Sequence, residues 1–375
     1  MLTDQSQSGP AEEVKSARRE IDRIDDEIVD LLNQRARWAQ RIGAAKDVTA
    51  HGPYVPEREQ EVLRHVREAG KAGPLSGDHL SGIYRQIISA CRALEHPLRV
   101  AYLGPPATFT HQAATQEFGD SSSFLSQASI PDVFTEVQRG GADLGVVPVE
   151  NSTDGAVHET LDSFVDAEVK VCGEIVLPIA FQLLGLGDRD QIETIYTNPV
   201  ALAQCRQYIA RNFPTRNIVT VVSTARAAEL AAAEPGTAAL ANGLAAEEYG
   251  LNVIEADIQD MTANYTRFFV IAPSAISQPT GHDKTAVLFS IRDRVGALRD
   301  VVELFAQRRI NLSSIQSRPS RRRVWEYVFF VELTGHEKDS AVAEALKELE
   351  PLCAFVKVLG SWARQGQEQD SATTT

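Results

Sequence analysis

Hydrophobic positions in the first hundred residues recur with the spacing of an α-helix. Ile28, Leu32 and Ile42 lie on one face of an ideal helix, and the pattern continues as far as Lys46. Two further helical patterns follow, over about residues 57–70 and 78–94. We therefore expect residues 11–96 to form an all-helical domain with one long and two shorter helices.

The pattern changes at Pro97, where short apolar runs begin to alternate with helical segments. The runs that we interpret as strands are LRVAYLG, ADLGVVPVEN, VKVCGEIVLPIAFQLLG, IETIYTN, NIVTVVST, TAALAN and RFFVIAP. Such alternation predicts a mainly parallel α/β sheet, and residues 97–273 are long enough for two lobes. Ligands in folds of this kind bind at loops beyond the strand ends.

A linker that ends near Asp283 separates this region from a third pattern. Residues 284–364 show strands and helices in the order βαββαβ, which is the ferredoxin-like arrangement of an α+β domain. The complete chain is thus predicted to be multidomain, with an all-α domain, a two-lobed α/β domain and a small α+β module.

Charge and cysteine content limit the possible partners. The chain has 375 residues and a formal net charge of −14, which argues against nucleic acids and anionic membranes because both select basic surfaces. The first residues lack the features of a signal peptide, and no apolar run approaches the length of a membrane span. The four cysteines are widely spaced, so we expect neither a zinc site nor disulfides. These features predict a cytoplasmic protein, and we expect no metal or other cofactor.

Three cations share the apolar face of the first helix. Arg18, Arg35 and Lys46 keep the phase of the hydrophobic stripe, where they can either extend to solvent or bind a small anion. On an ideal helix Arg35 and Lys46 lie about 16 Å apart, so their long side chains can reach one ligand, whereas Arg18 lies about 42 Å from Lys46. Arg18 must then serve a second site, most simply in an antiparallel two-fold partner.

Residues 11–96 resemble the all-helical chorismate mutases. The resemblance depends on Arg18, Arg35, Lys46, the Arg58-Glu59 pair in PEREQEVL, and the segment IYRQIISACRALE. It implies an interlaced homodimer in which Arg18 reaches the partner's site. It also implies conversion of chorismate to prephenate, a rearrangement that needs oriented cations and no nucleophile.

The same resemblance implies roles for individual side chains. Arg18 and Arg35 would hold substrate carboxylates, Lys46 would donate to the ether oxygen, Arg58 would support the site, and Glu59 would accept from the substrate hydroxyl. Two positions depart from the commonest pattern, since Cys91 replaces a frequent serine and Glu95 a frequent glutamine.

Glu95 can donate to the ether oxygen only when it is protonated. If it has that role, we expect burial to keep it neutral and mutase activity to fall as the pH rises through its titration. The alternative is a solvated glutamate near the end of a helix.

Polar clusters end several predicted strands of the central region. The clusters are VPVENSTDGAVHETLD, IYTNPVALAQC, VSTARAAEL and NYTRFFVI, and each taken alone is typical of helix caps, including Asn151, Ser152, Ser223 and Thr224. Together with LGPPATFTHQAA they resemble prephenate dehydratase over residues 98–273. The family's fold has two α/β lobes, similar to type 2 periplasmic binding proteins, with the active site between the lobes.

This second resemblance implies that prephenate loses carbon dioxide and water to give phenylpyruvate. The motif Thr266-Arg267-Phe268 belongs to the site, with Thr266 polarising the leaving hydroxyl and Arg267 holding carboxylates. The other cleft residues that it implies are Asn151, Ser152, Thr153, Thr197, Gln204, Ser223 and Thr224. A non-catalytic sensor of small anions is the competing interpretation of this fold.

Two departures from the dehydratase pattern affect loops. Pro106-Ala107 replaces the usual Glu-Gly, and Thr197-Asn198 replaces the usual Ser-His. Ala107 matters most if the loop requires a positive φ or a close approach of ligand, because glycine meets both requirements more easily.

Residues 284–364 resemble an ACT domain, which senses amino acids. The matching residues are Gly296, Ala297 and Leu298 in one motif, and Gln316, Ser317, Arg318 and Pro319 in IQSRP. In the family these motifs meet at a dimer interface and bind phenylalanine. Because Gln316 stands where glutamate is usual, we expect feedback inhibition that is present but altered. The alternative is a module that only dimerises.

The order of the three regions is that of the bifunctional chorismate mutase/prephenate dehydratases of phenylalanine biosynthesis. This resemblance implies chorismate and prephenate as substrates and L-phenylalanine as effector, in a homodimer, with a tetramer left open. The runner-up is a dehydratase whose helices serve dimerisation alone.

Overall fold

The structure is a computed structural model, which describes residues 10–45, 54–261, 263–275, 277–291, 294–319 and 327–364. The N-terminal helices are α1 (Pro10–Ala45), α2 (Pro56–Gly70) and α3 (Gly77–Ala93). They confirm the three predicted helices. Ser76 caps α3 by accepting a hydrogen bond from the His79 N–H at 3.2 Å.

The first lobe of the central region is built on a six-stranded sheet. Its elements are β1 (Arg99–Leu103), α4 (Phe109–Phe118), β2 (Ser123–Gln127), α5 (Ile130–Gln138), β3 (Leu144–Asn151), β4 (Gly155–Ala156), α6 (His158–Asp166) and β5 (Lys170–Pro178). The chain then crosses into a second lobe.

The second lobe is built on a five-stranded sheet. Its elements are β6 (Gln182–Gly185), β7 (Thr194–Thr197), α7 (Pro199–Gln204), α8 (Arg206–Asn212), β8 (Asn217–Thr220), α9 (Thr224–Ala233), β9 (Thr237–Ala241), α10 (Gly243–Tyr249) and β10 (Asn252–Glu255). The next strand, β11 (Tyr265–Ala272), returns to the first sheet and lies between β3 and β5. The two-lobed α/β prediction is confirmed.

The prediction of a mainly parallel sheet is wrong in part, because each sheet contains both parallel and antiparallel strand pairs. In the first sheet β1 runs parallel to β2 and β3, whereas β11 is antiparallel to both β3 and β5. The chain re-enters this sheet from the second lobe, so β11 must run opposite to its neighbours. The sequence prediction also missed β2 and β10, which lie at sheet edges and are too exposed to form buried apolar runs.

The C-terminal region has the predicted βαββαβ order. Its elements are β12 (Asp283–Ile291), α11 (Ala297–Gln307), β13 (Leu312–Pro319), β14 (Tyr327–Thr334), α12 (Ser340–Leu349) and β15 (Cys353–Ala363). The strands form one antiparallel sheet in the order β13-β14-β12-β15.

The C-terminal sheet packs face to face on the first-lobe sheet. Phe269 and Ile271 of β11 share a buried core with Leu288, Phe330 and Trp362 of the C-terminal region. Gly360 of β15 permits close contact, since a Cβ there would overlap the backbone of Val171 in β5. The strand that carries Thr266 is therefore in direct contact with the C-terminal module.

Candidate functional site

Asn151 and Thr266 lie opposite each other at the ends of β3 and β11. The Asn151 amide nitrogen donates to the Thr266 hydroxyl oxygen at 2.8 Å. The side-chain amide oxygen of Asn151 accepts from the backbone N–H groups of Thr153 and Asp154 at 2.9 and 3.1 Å. Because backbone N–H groups only donate, these bonds determine which end of the Asn151 amide faces Thr266. The Thr266 hydroxyl accepts from Asn151, and no group among the described residues accepts its proton.

A polar network connects this pair to the second lobe. Asn264 accepts from Asn151 at 3.2 Å and donates to the Gln204 side chain of α7 at 2.7 Å. Gln204 in turn donates to the Thr153 hydroxyl at 3.3 Å. We call these five residues, Asn151, Thr153, Gln204, Asn264 and Thr266, the cleft network.

Asn264 is a site residue that the sequence analysis did not single out. Its side chain is only 2% exposed and bonds to groups from both lobes. The available signal was its position two residues before Thr266, since alternate residues of an extended chain face the same side.

The other predicted cleft residues have structural contacts of their own. The Ser152 hydroxyl accepts from the Tyr265 N–H at 3.0 Å and joins the loop after β3 to β11. Thr197 is fully buried and donates to the Asn198 carbonyl at 3.2 Å. Ser223 accepts from the Arg226 N–H and caps α9, where Thr224 is buried. The structure therefore gives Ser223 the capping role that its residue type suggests.

The loop between β1 and α4 contains the substituted position Ala107. Its φ is 61°, in the left-handed region, which costs an alanine roughly 1 kcal/mol relative to glycine. Its side chain is completely buried in a cluster with Leu184 and Ala239 of the second lobe. The loop thus uses the conformation for which glycine is better suited, and the methyl group contributes contact between the lobes.

His111 of α4 packs beneath this loop. Its ring stacks on Tyr102 with centroids 4.5 Å apart, and its Nδ1 accepts from the Ala107 N–H at 3.0 Å. Burial lowers the pKa of His111 below its ordinary value of 6.5, although the charge of Glu248 opposes this effect. Neutral His111 therefore supports the loop.

Acidification is expected to destabilise the protein through His111. Because the folded-state pKa is depressed, the contribution of His111 to the free energy of unfolding is complete above about pH 6.5 and is lost as the pH falls toward the folded-state pKa. Urea unfolding of the wild type between neutral and mildly acidic pH measures this loss. The His111→Gln variant should show a shallower decrease, whereas His65→Gln, at an exposed histidine, should follow the wild type. Equal slopes for the wild type and His111→Gln would contradict the assignment.

Arg267 and Phe268 do not join the cleft network. Phe268 is buried in the core. Arg267, predicted to hold substrate carboxylates, lies on the opposite face of β11 from Thr266 and bonds to Glu150, Glu174 and Glu332. Burial lowers the pKa of Arg267, but its hydrogen bonds and charge interactions with these carboxylates outweigh burial and raise the pKa overall. The guanidinium is therefore already occupied by protein carboxylates.

The predicted mutase residues are divided among the three N-terminal helices. Arg18 is exposed and Arg35 half-buried on α1, while Lys46 lies outside the described residues. Cys91 of α3 is buried. Glu95, just after α3, is exposed, and its carboxylate lies against Gly43 near the end of α1. The described residues of one chain thus do not supply the burial expected for Glu95.

Arg58 and Glu59 are engaged with protein partners. Arg58 is exposed and pairs with Glu61 at 2.5 Å. Glu59 accepts from Arg92 at 2.5 Å, and Arg92, which is 8% exposed, also donates to the carbonyl oxygen of Phe118 in α4. Burial raises the pKa of Glu59, although Arg92 opposes this effect. Glu59, predicted to contact the substrate hydroxyl, thus forms an ion pair within the helical region, and its partner Arg92 also contacts the first lobe.

The two predicted effector motifs lie on different elements of the C-terminal region. Gly296 precedes α11 with a φ of 82°, Ala297 is buried, and Leu298 is partly exposed. Gln316 and Ser317 lie on the edge strand β13, which ends at Pro319. Arg318 of the same strand donates to Asp162 of α6 at 3.1 Å. The second motif therefore contacts the first lobe directly.

Comparisons with known families match each region separately. Models for chorismate mutase type II, prephenate dehydratase and the ACT domain match residues 17–96, 100–275 and 285–351, respectively. Among the described residues, no helix is long and apolar enough to cross a membrane.

Individual relatives agree with these matches. A bifunctional chorismate mutase/prephenate dehydratase of Aquifex aeolicus is 47% identical over 94% of this chain and 98% of its own length. A crystal structure of prephenate dehydratase from Arthrobacter aurescens with L-Phe covers 71% of this chain and 90% of its own, at 34% identity and a TM-score of 0.66. A quorum-quenching acylase, GqqA, covers 71% and 98% at 26% identity, also with a TM-score of 0.66.

The match to a bifunctional relative over nearly the full length supports both activities. It disfavours the alternatives of a dehydratase with a purely dimerising helical domain and of a non-catalytic sensor. The chain belongs to the family of bifunctional chorismate mutase/prephenate dehydratases with a C-terminal ACT domain.

Proposed function

We propose that the enzyme makes phenylpyruvate from chorismate as a cytoplasmic homodimer whose dehydratase activity is inhibited by phenylalanine. The observation that carries the dehydratase assignment is the orientation of the Thr266 hydroxyl by Asn151. The free, buried state of all four cysteines is compatible with the reducing cytoplasm.

The dehydratase step requires departure of two groups from prephenate. The bond to the ring carboxylate breaks, its electron pair enters the ring, and the bond to the ring hydroxyl breaks as carbon dioxide and hydroxide leave. A proton donated to the hydroxide gives water. Thr266 would donate a hydrogen bond to the departing oxygen, because its own oxygen already accepts from Asn151. Threonine is a weak acid, so we assign it polarisation of the leaving group rather than complete proton transfer.

The cleft network would hold this hydroxyl in position across the two lobes. Gln204 joins Asn264 and Thr153, so movement of the second lobe would change the contacts next to Thr266. Closing of the lobes around prephenate would exclude water and strengthen the hydrogen bond to the leaving oxygen.

The exposed apolar face of α1 supports a homodimer. Ile21, Ile28, Leu31, Trp38 and Ile42 are each about half exposed in the single chain, which is unusual for so many large apolar side chains on one helix. An antiparallel second copy of α1 would cover them and bring Arg18 to the partner's site.

The mutase reaction would then use cations from both chains. Arg35 and the partner's Arg18 would hold the two carboxylates of chorismate, and Lys46 would donate to the ether oxygen. Glu95 would provide a second donor if the partner chain buries it and keeps it protonated. Confinement of one reactive conformer and stabilisation of charge on the ether oxygen supply the catalysis.

Phenylalanine is expected to inhibit the dehydratase at millimolar concentration. The ACT match, the L-Phe-bound relative and the contact of Arg318 with Asp162 support this regulation. Phenylpyruvate formation from prephenate should be measured against phenylalanine concentration, with tyrosine as the comparison ligand. The Gln316→Glu variant, which restores the usual charge of the motif, should be inhibited at a lower concentration. Dehydratase activity that phenylalanine does not change, in an enzyme that is otherwise active, would refute the proposed regulation.

A further inference from the structure

Arg267 occupies the face of β11 that is turned toward the C-terminal module. Its two terminal nitrogens form a forked pair with the Glu332 carboxylate, at 2.7 Å for Nη1 and 2.6 Å for Nη2. It also donates to Glu174 at 3.2 Å and to Glu150 at 2.9 Å. A bidentate arginine–carboxylate pair restrains both partners in distance and in orientation.

Glu332 comes from the middle of the C-terminal sheet. It lies on β14, its side chain is 1% exposed, and it faces the first lobe instead of the helices of its own module. Lys284 of β12 completes the arrangement with bonds to Glu174 at 2.9 and 3.0 Å. We call Arg267, Glu332, Glu174, Glu150 and Lys284 the interdomain cluster.

The charges of the buried part of this cluster are balanced. Glu332 and Glu174, at 1% and 4% exposure, face the cations Arg267 and Lys284, while Glu150 is partly exposed. Removing one buried charge leaves its partner uncompensated, which is far more costly than losing a surface pair. The cluster is therefore a strong restraint on the strands that supply it.

The interdomain cluster is adjacent to the cleft network, because Arg267 directly follows Thr266 in β11. Arg267 pairs with Glu150 across β11 and β3, next to the pair of Thr266 and Asn151. The ladder between these strands shifts register immediately after Arg267. Thr266 and Arg267 keep a regular register with both β3 and β5, so their side chains project to opposite faces from adjacent positions of one backbone. Side-chain bonds at Arg267 are thus well placed to determine where Thr266 points.

We propose that Glu332 of the ACT module is a positioning residue for the dehydratase reaction, which acts through Arg267 to hold the Thr266 hydroxyl in the cleft. This assignment differs from a role for Arg267 in binding a prephenate carboxylate, and it rests on the dehydratase activity of the chain.

The two roles predict different kinetics for full-length Glu332→Gln. A positioning role predicts a dehydratase kcat that falls at least about tenfold, with KM for prephenate changed less than about twofold. Mutase turnover in the same chain should stay at the wild-type value and report that the protein is folded. The matched control is Glu344→Gln, at an exposed glutamate of the same module, which should leave both activities unchanged.

A second variant changes Arg267, the partner of Glu332, and tests the proposal even if Glu332→Gln does not fold. Arg267→Lys keeps the positive charge but loses the forked geometry, and it should reproduce the fall in kcat with an unchanged KM. The double variant should be no slower than the worse single variant, since both changes break the same contact. An unchanged kcat in either folded variant, a rise in KM without a fall in kcat, or independent additive losses would overturn the proposal.

Discussion

Replacing Thr266 with valine is expected to lower the dehydratase kcat by at least about 100-fold while mutase turnover stays within about twofold of the wild type. Valine keeps the volume and branching of threonine but removes the hydroxyl that Asn151 orients. The departing hydroxide would then lose its hydrogen-bond donor at the moment when its charge develops. Paired assays with prephenate and with chorismate on one preparation measure both activities.

Two variants show whether the hydroxyl itself is responsible. Thr266→Ser restores the hydroxyl and should recover most of the lost turnover. Thr135→Val makes the same substitution at an exposed position of α5 and should have no effect. A Thr266→Val enzyme with near-normal dehydratase kcat would remove Thr266 from the mechanism.

The second large effect concerns mutase sites shared between chains. Arg18→Ala and Arg35→Ala should each lower mutase turnover at least about 100-fold, because each removes a cation that binds a substrate carboxylate. When the two variants are co-expressed with different tags, mutase activity should return to roughly a quarter of the wild-type value. Half of the randomly paired dimers are mixed, and each mixed dimer has one site with both arginines.

A matched mixture separates complementation from simple stabilisation by dimer formation. Arg18→Ala co-expressed with the Arg18→Ala, Arg35→Ala double variant forms the same kinds of dimer but contains no site with both arginines. It should remain inactive. Purified mixed dimers of the two single variants without mutase activity would show that Arg18 does not cross to the partner.

The large features of the fold could be predicted from local patterns. Helical spacing in α1 to α3 and the βαββαβ order of the C-terminal module are properties of consecutive residues. The prediction of a mainly parallel sheet is wrong because the direction of a strand such as β11 depends on the path by which the chain returns from the second lobe. Edge strands such as β2 were missed because an exposed strand has no long apolar run.

The residues of the candidate site could likewise be predicted only in part from local sequence. Thr266, Asn151, Thr153 and Gln204 were named from motifs, and the structure joins them by hydrogen bonds. Asn264 lies in the cluster NYTRFFVI but was not named as a site residue, because an asparagine just before a strand is ordinarily a turn residue. Its role depends on tertiary structure, because its partners Asn151 and Gln204 come from different lobes.

The sequence by itself determined the three regions, their order and the reactions that their motifs imply, because these depend on residue type and spacing along one chain. Only the tertiary structure decided which charges face each other. Arg267 and Glu332 are distant in sequence, as are Glu59 and Arg92, and each is an ordinary charged residue until packing buries the pair. Burial removes the water that would otherwise solvate these charges, so each must be matched by a partner that is distant in sequence. The assembled domains consequently direct Arg267 away from the cleft and toward the ACT module.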